Sequence, residues 1–472
     1  MNCMKKNVLL ITICAILMPC TYARAEYRGG SNPSFVQEGI GYLILSEEAH
    51  TVAVCGTNDS ELTYVDVPEK IVHEGTEYSV TIIAEKAFYS CSKLEQVHLP
   101  ETLTSIASGA FSDCFALQEI IIPHSVTDIG AGSFSGCYNL RKVRMPNDLV
   151  SVGSDAFKGT KIDSITILAN VQYDGYVYSE AKQTKAITIE SGVREIPDGM
   201  FAGRMEAGIA CYVIGCENIV LPNTLEKIGP CAFRLNRLSS VNIPESCIEI
   251  DSAAFSACPF LEKISLPTTL KYLGKCAFFS NYSLKEAYIP ASVKTLQIGV
   301  FAECENLEKI IIHSETVEHF FSVDNALTQG ASGIDKQHVM EHEPLMSTIV
   351  FGKEVKRITL GNNREGNNGM PFGKHAKIQN VYCEGTVPPE GGIYQAGATL
   401  HVPIGCKELY ATAEIWKLYG ENIVDDINLE GIHNAQLKTQ DSDAPTYDLP
   451  GRRVENPKQG EIYIRNGKKT AY

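Results

Sequence analysis

Residues 87–106 read AFYSCSKLEQVHLPETLTSI. In the middle of this stretch the apolar Val97 lies between the polar Gln96 and His98, an alternation that predicts a short β-strand with one buried face. Pro100 ends the strand, because proline cannot donate a ladder hydrogen bond. Apolar residues before and after the strand return side chains to the same interior. The stretch therefore predicts one turn of a chain that winds around a common core.

The same unit recurs along the chain at a fixed period. Its phenylalanine returns every 22 or 23 residues in two sets, at Phe88, Phe111, Phe134 and Phe157, and then at Phe233, Phe255, Phe278 and Phe301. The proline that ends the strand keeps the same step, at Pro100, Pro123, Pro146, Pro222, Pro244, Pro267 and Pro290. A period of this length is typical of a solenoid, in which stacked units bury a core that no single unit could bury alone.

Three stretches carry a resemblance to a known family: LEQVHLPETLTSIASGAFSDC, LEKISLPTTLKYLGKCAFFSN and LKEAYIPASVKTLQIGVFAEC. Their spacing resembles the leucine-rich repeat, and most closely the BspA-like (Treponema-type) class found in surface proteins of Bacteroidetes and other bacteria. The resemblance covers residues 82–168 and 216–312. It implies an α/β repeat solenoid, mostly β, built as a right-handed array of about 23-residue coils with N- and C-terminal caps.

Departures from the period divide the chain. The expected order is a signal peptide at 1–25, an N-terminal cap with a degenerate first repeat at 26–81, leucine-rich repeats at 82–168, an irregular repeat or insertion at 169–215, leucine-rich repeats at 216–312, an insertion at 313–344, degenerate repeats and a C-terminal cap at 345–425, and a linker with a short β tail at 426–472. Insertions into a solenoid usually form loops on one face.

The first residues have the pattern of an export signal. Two lysines at 5–6 precede an apolar run at 8–18, and Ala-Arg-Ala at 23–25 supplies a small-x-small cleavage pattern. We expect cleavage after Ala25 and a secreted or cell-surface protein. Lipidation of Cys20 is disfavoured, because residues 17–19 (Leu-Met-Pro) lack the small side chains expected before a lipid-bearing cysteine.

The net charge limits the classes of partner that the protein can bind. The net charge is -15 and the isoelectric point is near 5.3, which argues against nucleic acid or an anionic membrane as partner, since both require a basic surface. After residue 25 no segment has the roughly 18 consecutive apolar residues that a spanning helix needs. We therefore expect no transmembrane span in the mature chain.

Thirteen of the 16 cysteines follow residue 25, and five of them stand three residues after a repeat phenylalanine: Cys91, Cys114, Cys137, Cys258 and Cys304. Thr160, Asn236 and Asn281 take the same position in other repeats. A position shared by these residue types predicts a small buried group that bonds to backbone in a turn. Neighbouring cysteines would also lie close enough for disulfides. Because their Cβ atoms point in parallel directions, we expect these cysteines to stay reduced and to stack as a ladder of free thiols.

Chemistry-bearing motifs are scarce. His338 and His342 would share a helix face, but the H-E-x-x-H order of a zinc site is absent. No nucleophile elbow, phosphate-binding loop, dinucleotide fingerprint or paired Cys-x-x-Cys is present. We expect no cofactor, no metal and no catalytic residue, and hence a protein that is not an enzyme.

The remaining candidate for a functional site is the outward face of the repeat strands. Its candidate binding residues flank the buried middle position of each strand: Gln96, His98, Glu119, Ile121, Lys142, Arg144, Ser240, Asn242, Lys263, Ser265, Glu286, Tyr288, Lys309 and Ile311. The exposed Ile and Tyr favour a concave recognition surface. An ordinary solvated sheet with its natural share of apolar residues is the alternative.

The family resemblance implies a non-enzymatic surface or secreted protein that mediates protein–protein binding or adhesion. The partner would be an extracellular or host protein, including a glycoprotein. A carbohydrate-binding module is a second hypothesis, in which Tyr288 and the aromatic run Tyr173–Tyr178 would stack on sugar rings. A structural envelope component without a soluble ligand is a third.

Overall fold

The computed structural model describes residues 31–59, 61–181, 184, 186–206, 209–211, 218–297, 299–317, 346–359 and 378–428, and four short strands between 446 and 471. This part of the chain is mostly β, with parallel strands and few helices. The signal peptide predicted at 1–25, with Cys20, lies outside the described residues. So do His338 and His342 and most of the insertion predicted at 313–344.

Each turn of the chain, called a coil below, contributes one strand to a front wall. The front strands are β4 (Tyr64–Asp66), β7 (Gln96–His98), β9 (Glu119–Ile121), β11 (Lys142–Arg144), β13 (Ser164–Ile167), β15 (Ala186–Ile189), β19 (Asn218–Val220), β21 (Ser240–Asn242), β23 (Lys263–Ser265), β25 (Glu286–Ile289), β27 (Lys309–Ile312), β29 (Thr348–Phe351), β31 (Asn380–Cys383), β33 (Thr399–Pro403) and β34 (Ile423–Ile427).

Shorter strands form a back wall after the chain has turned. The back strands are β8 (Ser105–Ile106), β10 (Asp128–Ile129), β12 (Ser151–Val152), β14 (Gln172–Tyr173), β16 (Glu195–Ile196), β20 (Lys227–Ile228), β22 (Glu249–Ile250), β24 (Tyr272–Leu273), β26 (Thr295–Leu296), β28 (Thr316–Val317), β30 (Arg357–Ile358) and β32 (Glu390–Gly391). Front and back strands run parallel to their neighbours in the next coil, as a solenoid requires.

The remaining elements lie at the ends of the array and in one hairpin. They are β1 (Phe35–Gln37), β2 (Ile40–Ser46), β3 (Thr51–Thr57), β5 (Lys70–His73) and β6 (Thr76–Ile83), the antiparallel pair β17 (Arg204–Glu206) and β18 (Ile209–Cys211), helix α1 (Lys407–Thr412), a 3-10 helix (Trp416–Asn422), and a tail sheet of β35 (Thr446–Tyr447), β36 (Arg453–Val454), β37 (Ile462–Arg465) and β38 (Lys468–Ala471). Trp416 is fully buried and its indole N–H donates to the carbonyl of Pro389 at 3.1 Å.

Strand register follows the repeat period. Lys142 pairs with Glu119, 23 positions earlier, and Lys263 pairs with Ser240 at the same step. Lys309, by contrast, pairs with Thr348, 39 positions later, so the described strands on either side of residues 318–345 are in register. The front sheet thus continues across the segment where the sequence loses its period.

A single ladder of aromatic rings fills one corner of the core. Neighbouring rings lie 5.1–6.3 Å apart and nearly parallel, in the order Phe88, Phe111, Phe134, Phe157, Tyr178, Phe201, Phe233, Phe255, Phe278 and Phe301. The sequence period shows two sets of phenylalanines, but Tyr178 and Phe201 join them in space. Such ring pairs contribute about 0.5–1.5 kcal/mol each beyond the area they bury.

The predicted ladder of small groups is also present. The thiols of Cys114, Cys137 and Cys304 are buried, and each donates to the carbonyl of a ladder phenylalanine in the preceding coil at 3.1–3.2 Å. Thr160 makes the equivalent bond within its own coil. All eleven cysteines with described side chains are free thiols. The position is therefore filled by short groups that satisfy a buried carbonyl.

Candidate functional site

The outward side chains of the front strands form two parallel columns, because alternate residues of a strand project from the same face. All fourteen candidate residues lie at these outward positions. Ten of them are exposed, and Glu119, Tyr288, Lys309 and Ile311 are half-buried. The described structure brings them onto one wall of the solenoid. That they bind a ligand stays a prediction.

In the early coils this face carries charged and polar side chains that pair across coils. The imidazole Nδ1 of His98 lies 2.8 Å from a carboxylate oxygen of Asp66, and Lys142 Nζ lies 3.7 Å from Glu119. All four side chains are at least 40% exposed, so these pairs are well solvated. Exposed pairs of this kind add little to stability.

In the later coils one column carries no Asp, Glu, Lys or Arg over eight successive strands. This uncharged column consists of Val220, Asn242, Ser265, Tyr288, Ile311, Val350, Tyr382 and His401. At about 4.8 Å between neighbouring strands it is about 34 Å long. Val220 is 81% exposed, whereas Val350 is 8% exposed between its neighbours Ile311 and Tyr382.

Sequence reasoning missed half of this column, namely Val220 and the three residues Val350, Tyr382 and His401, which lie outside the strict period. Val350 and Tyr382 alternate with buried residues in β29 and β31, and that alternation was the signal that could have found them. The irregular spacing between these strands concealed their alignment with Tyr288 and Ile311.

The end of the column is held in place by side-chain contacts. The rings of Tyr382 and His401 stack at 4.3 Å between centroids. The two imidazole nitrogens of His401 face an Asp426 carboxylate oxygen at 2.8 Å and the Asn380 side-chain oxygen at 3.2 Å. These contacts fix the position of the aromatic pair at the end of the column.

Tyr288 sits beside a partly buried polar cluster. Its ring lies 5.3 Å from that of His313, whose Nδ1 is 2.8 Å from a carboxylate oxygen of Glu354. Burial raises the pKa of the Tyr288 hydroxyl, and the nearby carboxylates of Glu354 and Glu384 raise it further. Burial alone would raise the pKa of Glu354, but the hydrogen bond with His313 holds it below its ordinary value. The Tyr288 hydroxyl is therefore a neutral hydrogen-bonding group.

The aromatic run at 173–178 is not the sugar-stacking surface that the carbohydrate hypothesis needs. Tyr178 is 2% exposed and belongs to the core ladder, so its expected role in stacking on a sugar is wrong. Tyr173 is half-buried at the end of β14, where its hydroxyl accepts from the Leu168 N–H at 3.0 Å. Of these three tyrosines, Tyr176 alone is exposed.

The described residues contain neither a metal-binding cluster nor a membrane-spanning helix. No three His, Cys, Asp or Glu side chains come together in a way that could hold a metal ion. No helix in the described part of the chain has the length and apolar character needed to cross a membrane.

A family model for the BspA type leucine-rich repeat region matches the chain in six copies, over residues 69–177, 110–207 and 209–324. These ranges together span more than half of the chain. No curated protein matches.

Among solved structures, the chain is similar to a leucine-rich repeat protein from Bacteroides ovatus, with 21% identity over 84% of this chain and 98% of that one and a TM-score of 0.51, a likeness that shows the fold. It also matches a leucine-rich cell surface protein from Faecalibacterium prausnitzii (20% identity, 65% and 99% covered, TM-score 0.38). A third match is the pneumococcal vaccine antigen PcpA (15% identity, 83% and 97% covered, TM-score 0.44).

Proposed function

The chain belongs to the family of BspA-type leucine-rich repeat proteins, and from this premise we propose that it is an exported, non-enzymatic protein that binds another protein at the cell surface. The proposal includes a right-handed array of about 23-residue coils, export with cleavage after Ala25, and a ligand on the front wall.

The uncharged column is the observation that carries this proposal. Charged groups are depleted at the centre of protein interfaces, and aromatic residues are enriched there. Tyr288 and Tyr382 combine a large apolar ring with a hydroxyl and have few rotatable bonds, so they lose little entropy when a partner binds. The side chains of Ile311 and Val350 lie between them.

Charge at the rim would orient the partner. Glu286 and Lys309 lie in the neighbouring column, beside Tyr288 and Ile311. Interfaces typically surround an apolar centre with a polar, solvated rim of this kind. The front wall from β25 to β31 is the part of the face that we propose as the centre of the interface.

The test is a matched pair of charge insertions at equivalent outward positions. Ile311→Glu places a carboxylate in the middle of the uncharged column, and Ile121→Glu places one in the charged early face, where Ile121 is 53% exposed. Residues 26–472 of each variant would be measured against purified host extracellular-matrix and serum glycoproteins, before and after enzymatic deglycosylation. We expect Ile311→Glu to weaken binding about tenfold or more and Ile121→Glu to leave it nearly unchanged.

Each other result has a definite meaning. Equal loss from both variants would contradict the assignment to the later coils. Binding abolished by deglycosylation would favour the carbohydrate hypothesis, and absence of any ligand across the panel would favour a structural envelope component.

A further inference from the structure

The back wall is broken between β14 and β16, although the front strands β13 and β15 of the same two coils are paired. In successive coils the first residue of each back strand donates its N–H to the preceding coil, as Gln172 does to Val150 and Lys227 does to Arg194. Glu195 is the residue at this position in the intervening coil. Over the described residues on either side of it, no backbone hydrogen bond joins β14 to β16.

Pro197 accounts for one of the two backbone hydrogen bonds that are missing between β14 and β16. At its position the residues of other coils donate an N–H to the second residue of the preceding back strand: Gly153 to Ile129, Asp174 to Val152, Gly229 to Ile196, Asp251 to Ile228 and Gly274 to Ile250. Proline has no N–H, so the carbonyl of Tyr173 receives no such bond from the next coil. The missing donor leaves an open strand edge on β14.

The break opens into a cleft of about 570 Å³, a volume typical of ligand sites. Its two ends are closed by backbone bonds between coils, from Glu190 N–H to Ile167 at 3.0 Å and from Tyr176 N–H to Asp198 at 2.7 Å. Apolar side chains, among them Val171 and Val193, contribute to its lining.

The backbone groups on its two sides are complementary to an extended chain. The unbonded carbonyl edge of β14 lies on one side, and the N–H of Glu195 at the edge of β16 lies on the other. Backbone groups in a partly buried setting are normally paired, and a strand added to an open edge pairs them. We propose that this cleft on the back wall binds a short extended peptide whose main chain completes the broken sheet.

The charge at the rim selects among such peptides. Asp174 and Asp198 line the cleft, whereas the other two charged lining residues are paired outside it, Glu195 with Lys227 at 3.4 Å and Arg194 with Glu226. The rim is therefore acidic, and a peptide with basic residues on either side of a short uncharged segment fits it. This site is separate from the front wall of the proposed function and does not depend on it.

A second break provides a contrast within the same molecule. No backbone bond joins β24 to β26 in the described chain, and a cavity of about 670 Å³ lies there. Lys271 and Lys294 line that cavity, so a basic peptide is disfavoured at the second break. The location of binding, as well as its strength, therefore tests the proposal.

The probe is a capped pentapeptide with lysine at both ends and a Thr-Val-Thr centre, and its control is the same peptide N-methylated at the central residue. Binding would be measured by calorimetry and located by hydrogen exchange of the Glu195 amide. We expect the probe to bind residues 26–472 and to slow exchange at Glu195. Removing the central N–H should weaken binding about tenfold or more.

Two variants at equivalent positions complete the test. Pro197→Gly restores a donor where Gly153 and Gly229 have one, so it should close the cleft and abolish binding. Asp251→Gly makes the matched change in an intact part of the back wall and should leave binding unchanged.

The proposal is overturned if the N-methylated peptide binds as well as the probe, if Pro197→Gly binds it unchanged, or if neither the lysine-ended peptide nor its glutamate-ended counterpart binds at millimolar concentration. The proposal would also be overturned if only the glutamate-ended peptide bound and if it slowed amide exchange at Thr295 instead of at Glu195. The methylation control does not depend on any variant folding.

Discussion

The early and later halves of the solenoid distribute their hydrogen bonding differently. Before residue 190 the front strands form three separate pairs, β4–β7, β9–β11 and β13–β15, while the back strands β8 to β14 continue one nine-stranded sheet with the N-terminal cap. From residue 218 the front strands form one nine-stranded sheet from β19 to β34, and from residue 195 the back strands divide into two sheets of four. The continuous sheet therefore lies on the back wall in the early half and on the front wall in the later half.

Strand length does not explain this difference. Front strands β19, β21 and β23 have three residues, as β7, β9 and β11 do, and yet they belong to the continuous sheet. Strands β13 and β15 have four residues and pair only with each other. The uncharged column lies on that continuous sheet, and the paired charges lie on the interrupted one. The continuous sheet with its uncharged column is the wall that we propose for binding, and the paired charges of the early coils remain solvated.

The largest expected effect comes from the ring that joins the two halves. Tyr178 stacks between Phe157 at 5.4 Å and Phe201 at 6.3 Å, and it is buried. Tyr178→Ala should lower the free energy of unfolding by about 3–5 kcal/mol, because it leaves a large cavity. Because each coil contacts only its neighbours, the variant should also separate one calorimetric transition into two.

The control for this prediction is Tyr178→Phe, which keeps the ring and should change stability by less than about 1 kcal/mol. Chemical denaturation and scanning calorimetry supply the measurements. If Tyr178→Ala proved no more harmful than Tyr89→Ala, at a site that is 42% exposed, the ladder would not couple the two halves.

An effect that is absent at neutral pH and develops above about pH 8.5 is expected from the buried thiols of the later half. Burial raises the pKa of Cys258 and of Cys304 to about 12. An unfolded thiol ionises near pH 8.5, so the native state holds these protons where the unfolded state releases them. Their stabilising contribution is complete below about pH 8.5 and is lost as the pH rises toward 12. The loss is at most about 1.4 kcal/mol per pH unit for each thiol.

The comparison variant is the double substitution Cys258→Thr and Cys304→Thr, since Thr160 fills the same position in another coil. Denaturant unfolding between pH 8 and pH 11 should show a shallower decline for the double variant than for the natural chain. Identical slopes would mean that these thiols ionise equally readily in both states.

The smallest effect is expected on the charged early face. Lys142 is 69% exposed and Glu119 is 40% exposed, and their charged atoms are 3.7 Å apart. Lys142→Met should lower the free energy of unfolding by less than about 1 kcal/mol, and high salt should reduce even that difference. Equilibrium unfolding at two salt concentrations measures it. A loss above about 2 kcal/mol would show that the early face contributes to the fold as much as a packed core position does.

Much of the fold could be predicted because the repeat encodes packing directly. Each Phe, each strand-ending Pro and each residue at the Cys position has a fixed local role, so their period predicts parallel coils and the ladders in the core. The outward direction of the fourteen candidate residues follows from strand alternation alone. Tyr178 was misassigned because an exposed aromatic strand and a ladder ring look alike once the spacing shifts and Tyr replaces Phe.

The sequence by itself determined the solenoid, its buried residues and which side chains face outward, since these depend on periods of two and about 23 residues that any coil repeats. Only the tertiary structure decided which outward residues are neighbours across segments of unequal length, as with Ile311, Val350 and Tyr382. It also decided where the back wall opens. Pro197 stands in the printed sequence, but the carbonyl that lacks its hydrogen bond belongs to Tyr173 in the preceding coil. A missing bond between coils is a property of two chain segments together, so neither segment alone reveals it.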